Sequence, residues 1–308
     1  MCFTSWGSSP IEPGCQMSVF RLVSFVWRHP LNAGARLRAL GRIVRWQVAS
    51  RLLAGPIALP FVEDTRLFAS RGMTGATGNW YCGLHESAGM GFALHFLRSD
   101  DLFLDVGANI GSYSVLVAGG IGAKVISIEP IPETFANLQT NVTLNALVDR
   151  VELHCLGFSN RRAELRFTAD QDTINHVMAE GEQGKGIPVR VVSMDELLAG
   201  RVPAVIKIDV EGHEHAVLEG AHHTLSDPGV AAVVMEINGS GARYGVDDRE
   251  LLTKMHAYGF KPYSYDPISR HLRDWTSSRG DAIFIRDADA VGSRVVHAKR
   301  YRLVNGTI

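Results

Sequence analysis

Apolar residues in this chain occur as short unbroken runs alternating with helically spaced ones. Leu102–Val106 is such a run, and a helical stretch over Ser112–Ala118 follows it. Lys124–Glu129 repeats the pattern, and Glu133–Asn145 sets Phe135, Leu138 and Val142 on one side of a helix. Val151–Cys155, Ala204–Asp209 and Val230–Ile237 read as further buried strands. Helices are predicted through Ala216, Val217 and Leu218 and over Arg249–Ala257. Phe260–Tyr265 and Ala282–Ile285 close the series with no helical pattern between them, which predicts antiparallel pairing at the sheet edge. Continuous apolar strands alternating with helices predict an α/β fold, its mostly parallel sheet covered on both faces.

Three stretches break the alternation. Gly72–Gly91 is glycine-rich and reads as turns. Residues 160–193 hold the alternating segments Ala163–Phe167 and Val189–Val191, half-exposed strands around a polar loop, Asp170–Lys185, that would cover a site. Upstream, Leu37, Leu40, Val44, Val48 and Leu52 predict a helix packed by that stripe on the body or on a second subunit. Arg38, Arg42 and Arg45 lie on its neighbouring, solvated face. Peripheral contact of residues 17–54 with an anionic membrane is the other reading, and a homo-oligomer stays open. Residues 1–16, rich in Ser, Gly and Pro, read as disordered, with Met17 an alternative start.

Composition narrows the class. The 308 residues are 46% apolar and 20% charged, which excludes a disordered or collagen-like chain. The net charge of -1 conceals a division. Residues 1–62 carry seven Arg and one acid, residues 290–308 four basic groups and no acid, and the body between them a balance of -11. The expected organisation is a basic helical extension over 1–60, a main domain over 61–289 and a basic C-terminal tail over 290–308. Cys2, Cys15, Cys82 and Cys155 form no C-x-x-C pair, so neither a zinc site nor a disulfide framework is implied. Val19–Trp27 is too short to span a bilayer. A cytoplasmic protein is expected, with membrane-peripheral placement open.

The chemistry gathers at the carboxyl ends of the strands. The first ends in Asp105-Val-Gly107-Ala-Asn109-Ile-Gly111, whose glycines allow a tight turn and close approach of a ligand. The second ends in Glu129, suited to accept both hydroxyls of a ribose. A dinucleotide site needs G-x-G-x-x-G so that backbone N–H groups meet a pyrophosphate. The G-x-x-x-G spacing here, with Asp105 beside it, suits a cationic amino group instead. S-adenosylmethionine is therefore favoured over a nicotinamide cofactor, and a dehydrogenase is disfavoured.

These segments, with Glu129-Pro130, Phe135, Leu138 and Asn141, and above all Ile206-Lys-Ile-Asp209-Val-Glu211-Gly-His-Glu214 followed by Val217-Leu218-Gly220-Ala221, resemble the FkbM family of methyltransferases from about Trp80 to Ile285. The resemblance implies a class I methyltransferase fold, Rossmann-like, seven-stranded and mostly parallel with the last strand antiparallel. It also implies O-methylation of a hydroxyl on a small molecule or glycan, such as a sugar or polyketide. Position by position, it implies that Asp105, Gly107, Asn109 and Gly111, with Ala108 and Ser112, hold the methionine end. Glu129 and Pro130 would hold the ribose, and Phe158 would stack on adenine.

Methyl transfer is an in-line displacement, and an alcohol acceptor needs a base nearby. Asp209, which ends the fourth strand, and Glu211 are expected to bind cofactor or acceptor, with His213 a candidate base. No second acid cluster accompanies Asp209–Glu214, so no metal is expected. Tyr81, Glu86, His176 of the inserted loop, Glu236 and Asn238 are the candidate acceptor contacts. Protein and lipid-headgroup acceptors stay open. A nucleic-acid acceptor is not expected, because the Asn/Asp-Pro-Pro-aromatic sequence of base methylation is absent after the fourth strand.

Overall fold

The structure, a computed structural model, describes residues 19–169, 175–179, 181–277 and 280–308. The expectations for residues 1–16 and Met17, and part of the loop Asp170–Lys185, lie outside the described residues. Helices α1 (Val19–Arg28) and α2 (Arg36–Leu52) come first, then a hairpin of β1 (Ile57–Pro60) and β2 (Arg66–Ala69), then helices α3 (Thr74–Cys82) and α4 (Ser87–Phe96). The alternation follows with β3 (Leu102–Val106), α5 (Ser112–Val115), β4 (Lys124–Ile128), α6 (Pro132–Leu144) and β5 (Val151–His154). The inserted segment forms a separate small sheet of β6 (Gly157–Phe158), β7 (Ala163–Thr168) and β8 (Gly186–Val192). After α7 (Met194–Leu198) come β9 (Val205–Ile208), α8 (Glu214–Glu219), α9 (His222–Ser226), β10 (Ala232–Ile237) and α10 (Asp248–Ala257). Strands β11 (Lys261–Asp266), β12 (His271–Asp274) and β13 (Gly280–Ile285), helix α11 (Ala288–Val296) and a terminal hairpin of β14 (Arg302–Leu303) and β15 (Gly306–Thr307) complete the chain.

Eight strands form the main sheet in the order β12-β11-β13-β10-β9-β3-β4-β5, one more than the seven expected. Strands β10, β9, β3, β4 and β5 pair in parallel. The strands expected together at the edge do pair antiparallel, but β13 lies between β10 and β11. Its Ala282-Ile-Phe-Ile285 run is buried throughout and belongs inside a sheet, whereas the edge goes to the polar His-Leu-Arg-Asp of β12. The strand order reverses between β9 and β3, which opens a crevice at their carboxyl ends.

Apolar cores cover both faces of the sheet. The stretch Gly72–Gly91, read as turns, is instead largely helical. Gly89 of α4 shows why: a Cβ there would stand 2.4 Å from the Tyr113 hydroxyl, so glycine lets α4 seat against α5.

The N-terminal helices dock differently from the expectation. Helix α2 turns Ala39, Arg42, Ile43 and Trp46 inward and leaves Leu37, Val44, Val48 and Leu52 exposed. Arg42, expected on a solvated face, is buried and donates to the Tyr81 carbonyl at 2.7 Å and to Asn32 Oδ1 at 3.1 Å. Helix α3 ends at that carbonyl and the guanidinium satisfies it, so a charged residue docks better here than an aliphatic one. Residues 290–308 are likewise not a free tail. Arg294 donates to the Phe96 carbonyl at 2.7 Å, stacks 4.5 Å from the Phe96 ring centroid and pairs with Asp101. Asn305 Nδ2 donates to the carbonyls of Leu31 at 2.8 Å and Cys82 at 2.7 Å.

Candidate functional site

The turn after β3 forms one wall. Gly107 has φ 75°, and a Cβ on it would stand 1.8 Å from the Asp209 carbonyl oxygen, so only glycine lets the β3 and β9 ends meet. Its N–H and that of Ala108 donate to the Ile128 carbonyl at 3.0 and 2.9 Å. The Asn109 N–H donates to Glu129 Oε2 at 2.9 Å, with Asn109 itself at φ 51°. The N–H groups at the head of the turn are thus engaged within the protein and offer no nest to a pyrophosphate. A dinucleotide is disfavoured on geometry as well as on spacing.

Glu129 sits at the end of β4. Its Oε1 accepts the Ile131 N–H at 3.0 Å, and burial pushes its carboxyl up to about 7 although both N–H bonds pull it down. Glu129 lines a pocket together with Gly107, Asn109, Ile128, Pro130, Ile131, Thr134, Gly157, Phe158 and, from the inserted segment, Phe167, Asn175 and Val177. Asp209, Val210, Glu211 and His213 line the opposite wall. The pocket thus sets a buried carboxyl beside apolar side chains.

Beneath the turn lies a buried polar knot. Lys207, a lone cation in the apolar strand β9, donates to the Gly107 carbonyl at 2.9 Å and pairs with Asp209 Oδ2 at 3.1 Å. Its ammonium lies 5.5 Å from the Tyr113 ring centroid. Burial lowers the Lys207 pKa, but the charges of Asp209, Asp105 and Glu86 hold it above its ordinary value. Asp105, expected at the methionine end, is completely buried below the turn. Its Oδ2 accepts from Ser114 Oγ at 2.6 Å, while Oδ1 has no hydrogen-bond partner among the described residues. Asp105 therefore faces inward and anchors the turn.

After β9, Glu214 Oε1 accepts the N–H groups of Val210 at 3.3 Å and Gly212 at 3.1 Å and holds the loop in shape. Glu211, at φ 53°, is pushed up to about 9 by burial, then by the charges of Asp209, Glu236 and Glu214. Burial pulls His213 down to about 4, and its Nε2 lies 3.1 Å from Ser159 Oγ. His213 is thus a neutral imidazole turned toward the small sheet.

Further acids gather on the other side of Asp209. Glu236 of β10 lies opposite Asp281 of β13 in the ladder. Burial, then the charges of Asp209 and Glu86, raise Glu236 to about 7, and burial with Glu86 and Glu236 raises Asp281. Glu86 accepts from the Tyr113 hydroxyl at 2.9 Å, and Asn238 Nδ2 donates to Glu236 Oε2 at 2.9 Å. Of the other expected residues, Tyr81 is core beneath α2 and presents only its carbonyl to Arg42 and Asn32, because α2 covers it. His176 is buried against Glu182 at 2.9 Å, and its neighbour Asn175 lines the pocket instead. Ala108 is buried, Gly111 caps α5 at φ 88°, and the Ser112 hydroxyl accepts from Asn79 at 3.2 Å. Asp281, Lys207, Tyr113, Phe167 and Val177 escaped sequence reasoning. Only Lys207 carried a signal, a cation inside an otherwise apolar strand.

This strand order, with a crevice at the point of reversal, defines a Rossmann-like class I methyltransferase fold. The chain belongs to the FkbM methyltransferase family: the model of the methyltransferase FkbM domain matches residues 105–262. It is 32% identical over 157 residues to the hexuronic acid methyltransferase AglP of Haloferax volcanii, covering 50% of this chain and 61% of that protein. It is 27% identical over 199 residues to the 31-O-demethyl-FK506 methyltransferase FkbM of Streptomyces tacrolimicus, covering 53% and 74%. A crystal structure of methyltransferase FkbM from Methylobacillus flagellatus aligns with 16% identity and a TM-score of 0.44, over 81% of this chain and 60% of that one.

Proposed function

We propose that this protein transfers a methyl group from S-adenosylmethionine to a hydroxyl of a neutral, polyhydroxylated small molecule or glycan. The observation that carries the reading is the pairing of the buried Glu129 carboxylate with a turn whose leading N–H groups are already engaged, a site for a nucleoside without a pyrophosphate. When bound, S-adenosylmethionine supplies an electrophilic methyl group on a sulfonium. Glu129 accepts the ribose hydroxyls, and Ile131, Phe158 and Val177 enclose the base from the apolar side. The neutral His213, tied to Ser159, serves the base end rather than the reaction. Asp209, paired with Lys207 at the crevice, takes the proton from the acceptor hydroxyl. Glu86, Glu236 and Asp281 bind the acceptor's other hydroxyls. The charge of Asp209 that raises Glu211 and Glu236 also opposes an acceptor carboxylate, which favours a neutral acceptor over a uronic acid.

The test is transfer of radiolabelled methyl to paired panels of neutral glycosides and uronic acids, with S-adenosylhomocysteine affinity measured by calorimetry. Asp209→Asn is expected to lower turnover about 100-fold or more while affinity moves less than about threefold. Equal losses in both would make Asp209 a binding group only.

A further inference from the structure

Helix α2 has two apolar faces. The docked one consists of Ala39, Arg42, Ile43 and Trp46. At 3.6 residues per turn, Leu37, Val44, Val48 and Leu52 fall within about 80° of arc on the opposite side. They are 78%, 62%, 51% and 79% exposed. Exposed Arg38 and Arg45 flank this ridge on one side, Arg36 and Arg51 on the other. Arg36 lies 5.3 Å from the ring centroid of Trp27, itself exposed at the end of α1. Residues 19–62 contain seven arginines and neither Asp nor Glu.

We propose that this face of α2, with Trp27, rests on an anionic phospholipid bilayer without crossing it. Among the described residues no helix is long and apolar enough to cross a membrane. Leu37, Val44, Val48 and Leu52 enter the boundary between headgroups and acyl chains, and the flanking arginines reach the lipid phosphates along their aliphatic stems. Trp27 and Arg36 form the aromatic and guanidinium pair suited to that boundary. Charge selects the bilayer over a second copy of this chain. A two-fold pairing of the ridges would set Arg38 and Arg45 against the arginines of the other copy, with no acid on α1 or α2 to neutralise them.

The test is sedimentation of the full chain with vesicles of phosphatidylcholine alone and of phosphatidylcholine mixed with phosphatidylglycerol. Binding to the mixed vesicles only is expected. Arg38→Gln/Arg45→Gln should weaken that binding roughly 30-fold, and Val44→Glu/Val48→Glu should abolish it. All four positions are exposed, so the thermal melts of both variants should match that of the parent chain. If the Glu variant melts early, the arginine variant still decides the matter. Equal binding to both vesicle types, or to neither, overturns the proposal. So does a dimer in sedimentation velocity that Val44→Glu/Val48→Glu splits, because the ridge is then a contact between copies.

Discussion

Replacing Glu129 by Gln keeps the shape of the residue and removes its charge. The carboxyl is buried, and holding it at about 7 instead of its ordinary 4.5 costs the folded state about 3 kcal/mol once the pH is well above both values. A carboxyl raised in the folded state stabilises below its unfolded value and loses that contribution as pH climbs to the folded one. The cost therefore develops between about pH 4.5 and about pH 7. The amide of the Glu129→Gln variant does not ionise in either state, so the variant escapes this cost. It gives up one acceptor, because its amide group faces either the Asn109 or the Ile131 N–H, at about 1–2 kcal/mol independent of pH. The variant should be the less stable protein near pH 5 and the equal or better one near pH 8.5, a relative gain of about 3 kcal/mol across the window. Urea unfolding of both proteins across that range measures the gain directly. Parallel stability curves would refute a buried, titrating Glu129. S-adenosylhomocysteine affinity should fall about tenfold or more near pH 8.5, where Glu129 is ionised, since a hydroxyl bound to a carboxylate is stronger than one bound to an amide, and the loss should shrink toward pH 5.

Two further substitutions test the scaffold of the site. Gly107→Ala forces a Cβ against the Asp209 carbonyl at a positive φ and should cost about 3 kcal/mol or more, read from the urea midpoint; an unchanged midpoint would mean the strand ends separate freely. Arg42→Ala leaves the Tyr81 carbonyl and Asn32 without their charged donor and should cost about 2–4 kcal/mol, with earlier proteolysis in residues 28–36; unchanged cleavage would mean that apolar contacts alone dock α2.

The central sheet was legible because its strands are buried on both faces and therefore read as unbroken apolar runs. The turn after β3, Glu129 and Asp209 were legible for a related reason: acids and glycines at the ends of such runs stand out. What escaped depends on contacts distant in sequence. Helix α2 carries two apolar stripes, and the more aliphatic one attracted the reading, although the body takes the stripe that holds Arg42 and Trp46. Helices α3 and α4 were hidden by glycines that serve close packing. The pairing of Glu236 with Asp281 exists only because β13 inserts beside β10. Spacing also says nothing about which side of a strand end faces the crevice, and Asp105 turns its Oδ2 to Ser114.

The Asn305 side chain, whose amide reaches Leu31 and Cys82, also sets an order of events during synthesis. A ribosome releases the first helices long before residue 305 exists, yet this bond joins positions 274 residues apart. Helices α1 and α2 must wait, held by α3, His85 and Arg71, until the hairpin of β14 and β15 emerges and fastens them like a clasp.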